Sequence, residues 1–139
     1  MKPKIKTVMS LQSFCNTDHI ISGNSEDVDK SLKSLQNKSL FLVDSKGEIE
    51  IAHVDIENDT FNKINRQKEL ILLIQAVCSS NQTCTVSAND KTETVPSYSS
   101  LASFHNILFV FPADTRELIL KVKGKPGTVL AIKDIQIWQ

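Results

Sequence analysis

From Leu40 to Trp138 the chain is a succession of short segments in which apolar and polar residues alternate, each closed by turn-forming residues. Successive side chains of an extended strand point to opposite faces, so this period of two commits each segment to one oily and one wet face. Glu48-Ile49-Glu50-Ile51-Ala52-His53-Val54 turns Ile49 and Ile51 inward. Thr83 to Ala88 does the same with Cys84, Val86 and Ala88, and Glu117 to Lys123 with Leu118, Leu120 and Val122. Leu70 to Val77 is apolar at both parities, as in a strand covered on both faces, and Phe104 to Phe111 is largely apolar. About eight such strands, with turns every ~8–12 residues, predict an all-β antiparallel two-sheet β-sandwich.

The turns suggest local pairings. Asp44-Ser45-Lys46-Gly47 would join Leu40–Val43 to Glu48–Val54 as a hairpin. Five residues, Ser79 to Thr83, separate Cys78 from Cys84; a hairpin there sets Ala76 opposite Val86 and Ile74 opposite Ala88. Asn89-Asp90-Lys91 forms a turn before an edge segment, Thr92 to Val95, that ends at Pro96. In the last strand, Thr128 to Trp138, Ile132 and Ile135 are three apart, so the alternation slips once and a bulge is expected near Lys133-Asp134. Asp55 to Lys68 is polar and reads as a long connection. One helical candidate spans residues 24–36, where Val28, Leu32 and Leu35 follow Asn24 or Ser25 as N-cap; an irregular crossover fits the same residues.

The 139 residues make one domain, 1–139, and a hydrophobic content of 40% is enough to fill a core. Lys and Arg number 16, Asp and Glu also 16. A neutral chain lacks the basic excess that replaces phosphate counterions, which argues against nucleic acid as partner. Neutrality also favours association, and a homo-oligomer is one outcome. No apolar run reaches the ~18 residues of a membrane span. The basic start, Met1-Lys2-Pro3-Lys4-Ile5-Lys6, is not followed by the apolar stretch of a signal peptide. Either the chain does not take that route or the sequence begins after the signal; an extracellular or surface-associated location is favoured.

The three cysteines, Cys15, Cys78 and Cys84, form no C-x-x-C motif. Cys78 and Cys84 would face each other across a hairpin, where a disulfide is geometrically allowed; two buried reduced thiols fit the same spacing. No nucleophile elbow, zincin, P-loop or dinucleotide-binding pattern is present, and no enzyme activity is expected. Cys15 with His19, and the acids of Asp55-Ile56-Glu57-Asn58-Asp59, are too incomplete to make a catalytic or cation site. Lys121, Lys123, Lys125 and Lys133 read as edge protection.

Residues 37–138 resemble the galactose-binding-like jelly roll of many carbohydrate-binding modules. The resemblance rests on the strands Leu70–Val77, Thr83–Ala88 and Phe104–Phe111, the Pro112-Ala113-Asp114-Thr115 turn and the strand Leu118–Val122. To these are added the ending Val129-Leu130-Ala131-Ile132-Lys133-Asp134-Ile135-Gln136-Ile137 and the early Lys38-Ser39-Leu40-Phe41-Leu42-Val43. It implies a non-catalytic module that takes carbohydrate on a sheet face or through end loops, with no cofactor beyond a structural calcium near Asp134. Parity makes Gln75, Thr85, Ser87, His105 and Lys121 candidates for a binding face on adjacent strands. Tyr98, in a Ser-rich loop, is expected to be the better exposed aromatic and is a further ligand-binding candidate. Trp138, ending the last strand, is expected in core packing or at a sheet edge. The alternative is a structural or protein-interaction sandwich of a surface, viral or phage assembly, with another protein chain as partner.

Overall fold

The computed structural model describes residues 5–25, 28–56, 63–99 and 104–139. Its strands are β1 (Thr7–Ser10), β2 (Ile20–Ile21), β3 (Ser39–Leu42), β4 (Glu48–Asp55), β5 (Leu70–Cys78), β6 (Cys84–Ala88), β7 (Lys91–Val95), β8 (His105–Phe111), β9 (Glu117–Gly124) and β10 (Val129–Trp138). They form two antiparallel sheets. The larger has six strands in the order β2-β3-β10-β5-β8, with β1 alongside β10, and the smaller has four in the order β4-β9-β6-β7. Between them lies one core that includes Phe41, Ile51, Leu72, Ile74, Leu118, Leu120, Leu130 and Ile135, all buried. Each such side chain contributes roughly 1.5–3 kcal/mol by leaving water, and the alternation supplies them to one side of each sheet.

Two expected hairpins are absent. β3 lies in the six-stranded sheet and β4 in the other; β5 and β6 are split the same way. The short loops therefore cross from layer to layer, and Ala76–Val86 and Ile74–Ala88 are not ladder pairs. Instead Ala76 pairs with Ile132 and His105, and Val86 with Glu93 and Val122. A crossing and a hairpin deliver the same alternate residues to the same core, so the pattern alone does not separate them. The turn at Asn89 does form the expected hairpin, with Asn89 at φ 56° joining β6 to the edge strand β7.

The slip in β10 is a bulge. Ile132 pairs with Ala76 and Asp134 with Gln75, leaving Lys133 outside the register. Before it Leu130 and Ile132 face the core; after it Ile135 and Ile137 do. Val129 and Ala131 face the other way, into a second cluster with Val77, Leu40, Val28, Leu32 and Leu35. This cluster covers part of the outer face of the larger sheet and accounts for the apolar outward residue Val77 of β5.

Within the described residues of 24–36 the helix is a single turn, α1 (Lys30–Lys33), capped by Asp29 rather than by Asn24 or Ser25. The Asp29 carboxylate accepts from Ser31 N at 3.0 Å. Val28, Leu32 and Leu35 are buried as their spacing indicates. The N-terminal strand β1, not foreseen, pairs with the last part of β10, where Met9 lies opposite Ile137. Glu57, Asn58 and Asp59 of the acidic stretch lie outside the described residues.

Candidate functional site

Beyond the part covered by the second cluster, the outer face of the six-stranded sheet carries a patterned surface. The core takes Leu70, Leu72, Ile74 and Ala76 from β5, so Ile71, Leu73 and Gln75 face outward. On β8 the outward residues are Asn106, Leu108 and Val110; on β10, after the bulge, they are Asp134, Gln136 and Trp138. Register sets them in rows across three strands: Trp138–Ile71–Val110, Gln136–Leu73–Leu108 and Asp134–Gln75–Asn106. Two rows are mainly apolar and the third is polar. Leu108 is 58% exposed and Val110 44%, whereas Leu73 is only 8% exposed.

Hydrogen bonds fix the β10 side of this surface. Trp138 Nε1 donates to Gln136 Oε1 at 2.8 Å, and Gln136 Nε2 donates to Asp134 Oδ2 at 2.8 Å. Asp134 Oδ1 accepts from Ser10 Oγ at 2.7 Å and from Ile135 N at 2.8 Å. The chain runs from indole to amide to carboxylate, each donor matched to an acceptor, and holds the half-buried Trp138 ring in place. Gln75 Nε2 donates to Asn106 Oδ1 at 3.3 Å. Gln75 Oε1 and Asn106 Nδ2 keep hydrogen-bonding capacity for a ligand.

The polar row ends at a cleft of about 340 Å³ between the edge strands β7 and β8, lined by Glu93, Thr94, Pro96, His105, Asn106, Ile107 and Leu108. His105 Nε2 is buried there and has no hydrogen-bond partner among the described residues. Such an unpartnered polar atom is uncommon in folded proteins.

The sequence candidates do not form one face. Gln75 and His105 lie on neighbouring strands of the six-stranded sheet, but His105 shares the parity of the inward residues Ile107 and Phe109. Thr85, Ser87 and Lys121 project from the outer face of the four-stranded sheet, on the opposite side of the molecule. There Lys121 Nζ stands 3.5 Å from Glu48 Oε1, and His53 Nε2 is 3.0 Å from Glu117 Oε2. Lys121 and Lys123 sit on β9, between β4 and β6, so they do not guard an edge. That task falls to Lys91 on β7, which donates to the Val110 carbonyl and lies 5.1 Å from the Phe111 ring centroid. Tyr98 is not an exposed platform: it packs against the second cluster, and its N–H donates to Cys78 O at 2.8 Å. Trp138 is neither core nor edge, because β10 is flanked by β1 and β5 at that point. The bulge was the signal for it: one slip of parity sends Ile135 and Ile137 inward and Trp138 outward.

Asp134, the calcium candidate, already accepts three hydrogen bonds through its two oxygens, and the described residues contain no group of three or more acidic, histidine or cysteine side chains suited to a metal. Cys15 lies near Asp134; burial first, and then that carboxylate, push its thiol pKa up, the reverse of what a nucleophile needs.

No family model matches the chain, and none of the curated proteins matches it. Among solved structures, one described as "BiXyn10A CBM1 APO" is similar to it with a TM-score of 0.45 and 14% identity, over 96% of this chain and 99% of that chain.

Proposed function

We propose that this chain is a non-catalytic binding module that takes carbohydrate on the outer face of the six-stranded sheet, around Trp138. The observation that carries the reading is the pairing of an oriented, outward indole with apolar neighbours and an adjacent row of amide and carboxylate groups. A pyranose ring offers the complementary surfaces: C–H groups on its faces and hydroxyls around its rim. The Trp138–Ile71–Val110 row suits the former, and Gln136, Asp134, Gln75 and Asn106 suit the latter. Because strand ladders and the Trp138–Gln136–Asp134 chain hold these groups before a ligand arrives, little side-chain freedom is lost on binding.

Trp138 is the only tryptophan, so its fluorescence reports directly on this face. Titration with a panel of soluble oligosaccharides is expected to shift its emission for at least one of them. Trp138→Ala, scored by affinity electrophoresis in the same glycan, should lose at least about tenfold in affinity. Thr85→Ala with Ser87→Ala, on the opposite face, should bind as the parent does. Retention of affinity in Trp138→Ala, or silence across diverse glycans, sinks the reading.

A second reading, a protein-interaction sandwich, is favoured by the exposed Leu108 and Val110. Exposed apolar residues in a patch suit a protein partner. Light scattering separates the two: a discrete oligomer dissociated by Leu108→Asn supports it, and a monomer that binds glycan supports the first.

A further inference from the structure

The loop between β5 and β6 has a cysteine at each end. Cys78 closes β5 in the six-stranded sheet and Cys84 opens β6 in the four-stranded one. Both are buried, and their sulfurs lie 2.7 Å apart. We infer that Cys78 and Cys84 form a disulfide that ties the two sheets together across the core.

The backbone around both residues is fixed. Cys78 N donates to Pro96 O at 2.8 Å, Ser79 N to Val129 O at 3.0 Å, and Gln82 N to Ser79 O at 3.1 Å. Gln82 Oε1 accepts from Val129 N at 3.1 Å. Cys84 pairs with Val95 and with Gly124, where a Cβ would come within 3.1 Å of the Cys84 Cβ; the glycine leaves room for the sulfur pair's side chains. Cys15 is no competitor. It bridges to Ala52 on β4, the far edge of the smaller sheet from β6 and β7.

In the bond-forming step each thiol loses its proton and the pair gives up two electrons. The acceptor is a small disulfide such as oxidised glutathione, which leaves as two thiols by way of a mixed disulfide. Once the core has closed, the hydrogen bond to Cys78 and burial raise the Cys84 thiol pKa, so little thiolate is available. The bond therefore forms as the sheets come together, and the closed core then shields it from exchange.

The test uses the full chain, refolded in a glutathione redox buffer, acid-quenched, and alkylated in denaturant. The expected result is one alkylated cysteine, Cys15, a mass about 2 Da below that of the reduced chain, and a proteolytic fragment linking Cys78 to Cys84. Reduction should lower the melting temperature by about 5–10 °C. The Cys15→Ser variant should keep the link. Three alkylated thiols, a glutathione adduct on Cys78 or Cys84, or a bond to Cys15 overturns the inference. Because the count is made on the parent chain, it does not depend on whether a Cys78→Ala, Cys84→Ala variant folds.

Discussion

Asp134 occupies the end of the hydrogen-bonded chain that begins at the Trp138 indole, and it accepts from Ser10, Ile135 and Gln136. A cation at this carboxylate would have to displace those donors. Chelator treatment is therefore expected to leave the melting temperature within about 1 °C of the untreated value, whereas Asp134→Ala, which strands three donors, should cost about 1–3 kcal/mol in urea unfolding. A large thermal shift on calcium removal would reverse the assignment. Backbone geometry gives a second residue-scale contrast. Gly47 has φ 76° and a Cβ there would lie 3.1 Å from Gly124 O, while Gly127 has φ 89° with open space around it. Gly127→Ala should cost about 1–2 kcal/mol from the left-handed conformation alone, and Gly47→Ala more, because the carbonyl must also move. Equal losses in chemical denaturation would show that the contact is relieved for nothing.

At the scale of elements, α1 holds the second cluster onto the outer face of the larger sheet through its Asp29 cap. The amide of Ser31 and then its hydroxyl, with Ser79 and Ser80, lower the Asp29 pKa, partly offset by burial. A carboxyl depressed on folding stabilises the fold fully above its ordinary value of 3.8, and that contribution disappears as the pH falls through the lower folded value. Asp29→Ala is expected to lose about 1 kcal/mol near neutrality and to show a flatter fall in stability than the parent as the pH drops below the ordinary carboxyl value of 3.8. Parallel acid limbs in the two proteins would assign the loss to something other than the cap.

The strands show what the sequence makes legible. Leu118, Leu120 and Val122 are inward as their alternation says, and the slip between Ile132 and Ile135 is a bulge. The partners of β3, β5 and β8 are not legible, because alternation records which side of a strand is oily and not which sheet it joins. The candidate face was hidden for the same reason. Thr85, Ser87 and Lys121 share a face with one another but not with Gln75, and placing Trp138 needed the parity carried past Lys133. That dependence is itself testable. Lys133→Ala should change stability by less than about 0.5 kcal/mol, and deleting Lys133, the unpaired residue of the bulge, should keep Ile135 and Ile137 inward, whereas inserting one alanine between Asp134 and Ile135 reverses the facing of Ile135, Ile137 and Trp138 and should abolish cooperative unfolding. A folded, cooperative insertion variant would mean that the end of β10 tolerates either facing.

For the molecule as a whole, the problem a two-sheet sandwich must solve is its open edges. β2 is only two residues long, which limits pairing at that edge. The β4 edge meets the N-terminal segment, where Asn16 N donates to Ile51 O at 2.7 Å and Cys15 bridges to Ala52. The β7–β8 side is different, because β8 is seven residues long, has no further strand beside it among the described residues, and presents the exposed Leu108 and Val110. Lys91 is the guard there: its ammonium occupies the Val110 carbonyl and lies over the Phe111 ring. An incoming strand would have to displace that ammonium and bury its charge. With a formal net charge of zero and a pI near 6.8, long-range repulsion gives no protection at neutral pH. Lys91→Ala removes the local guard, and the resulting net charge of about −1 is too small to replace it. Light scattering at pH 7 is therefore expected to show more high-mass material for Lys91→Ala than for the parent, and Lys125→Ala, which makes the same change in charge elsewhere, should behave as the parent does. If both variants aggregate alike, net charge and not the β8 edge governs self-association.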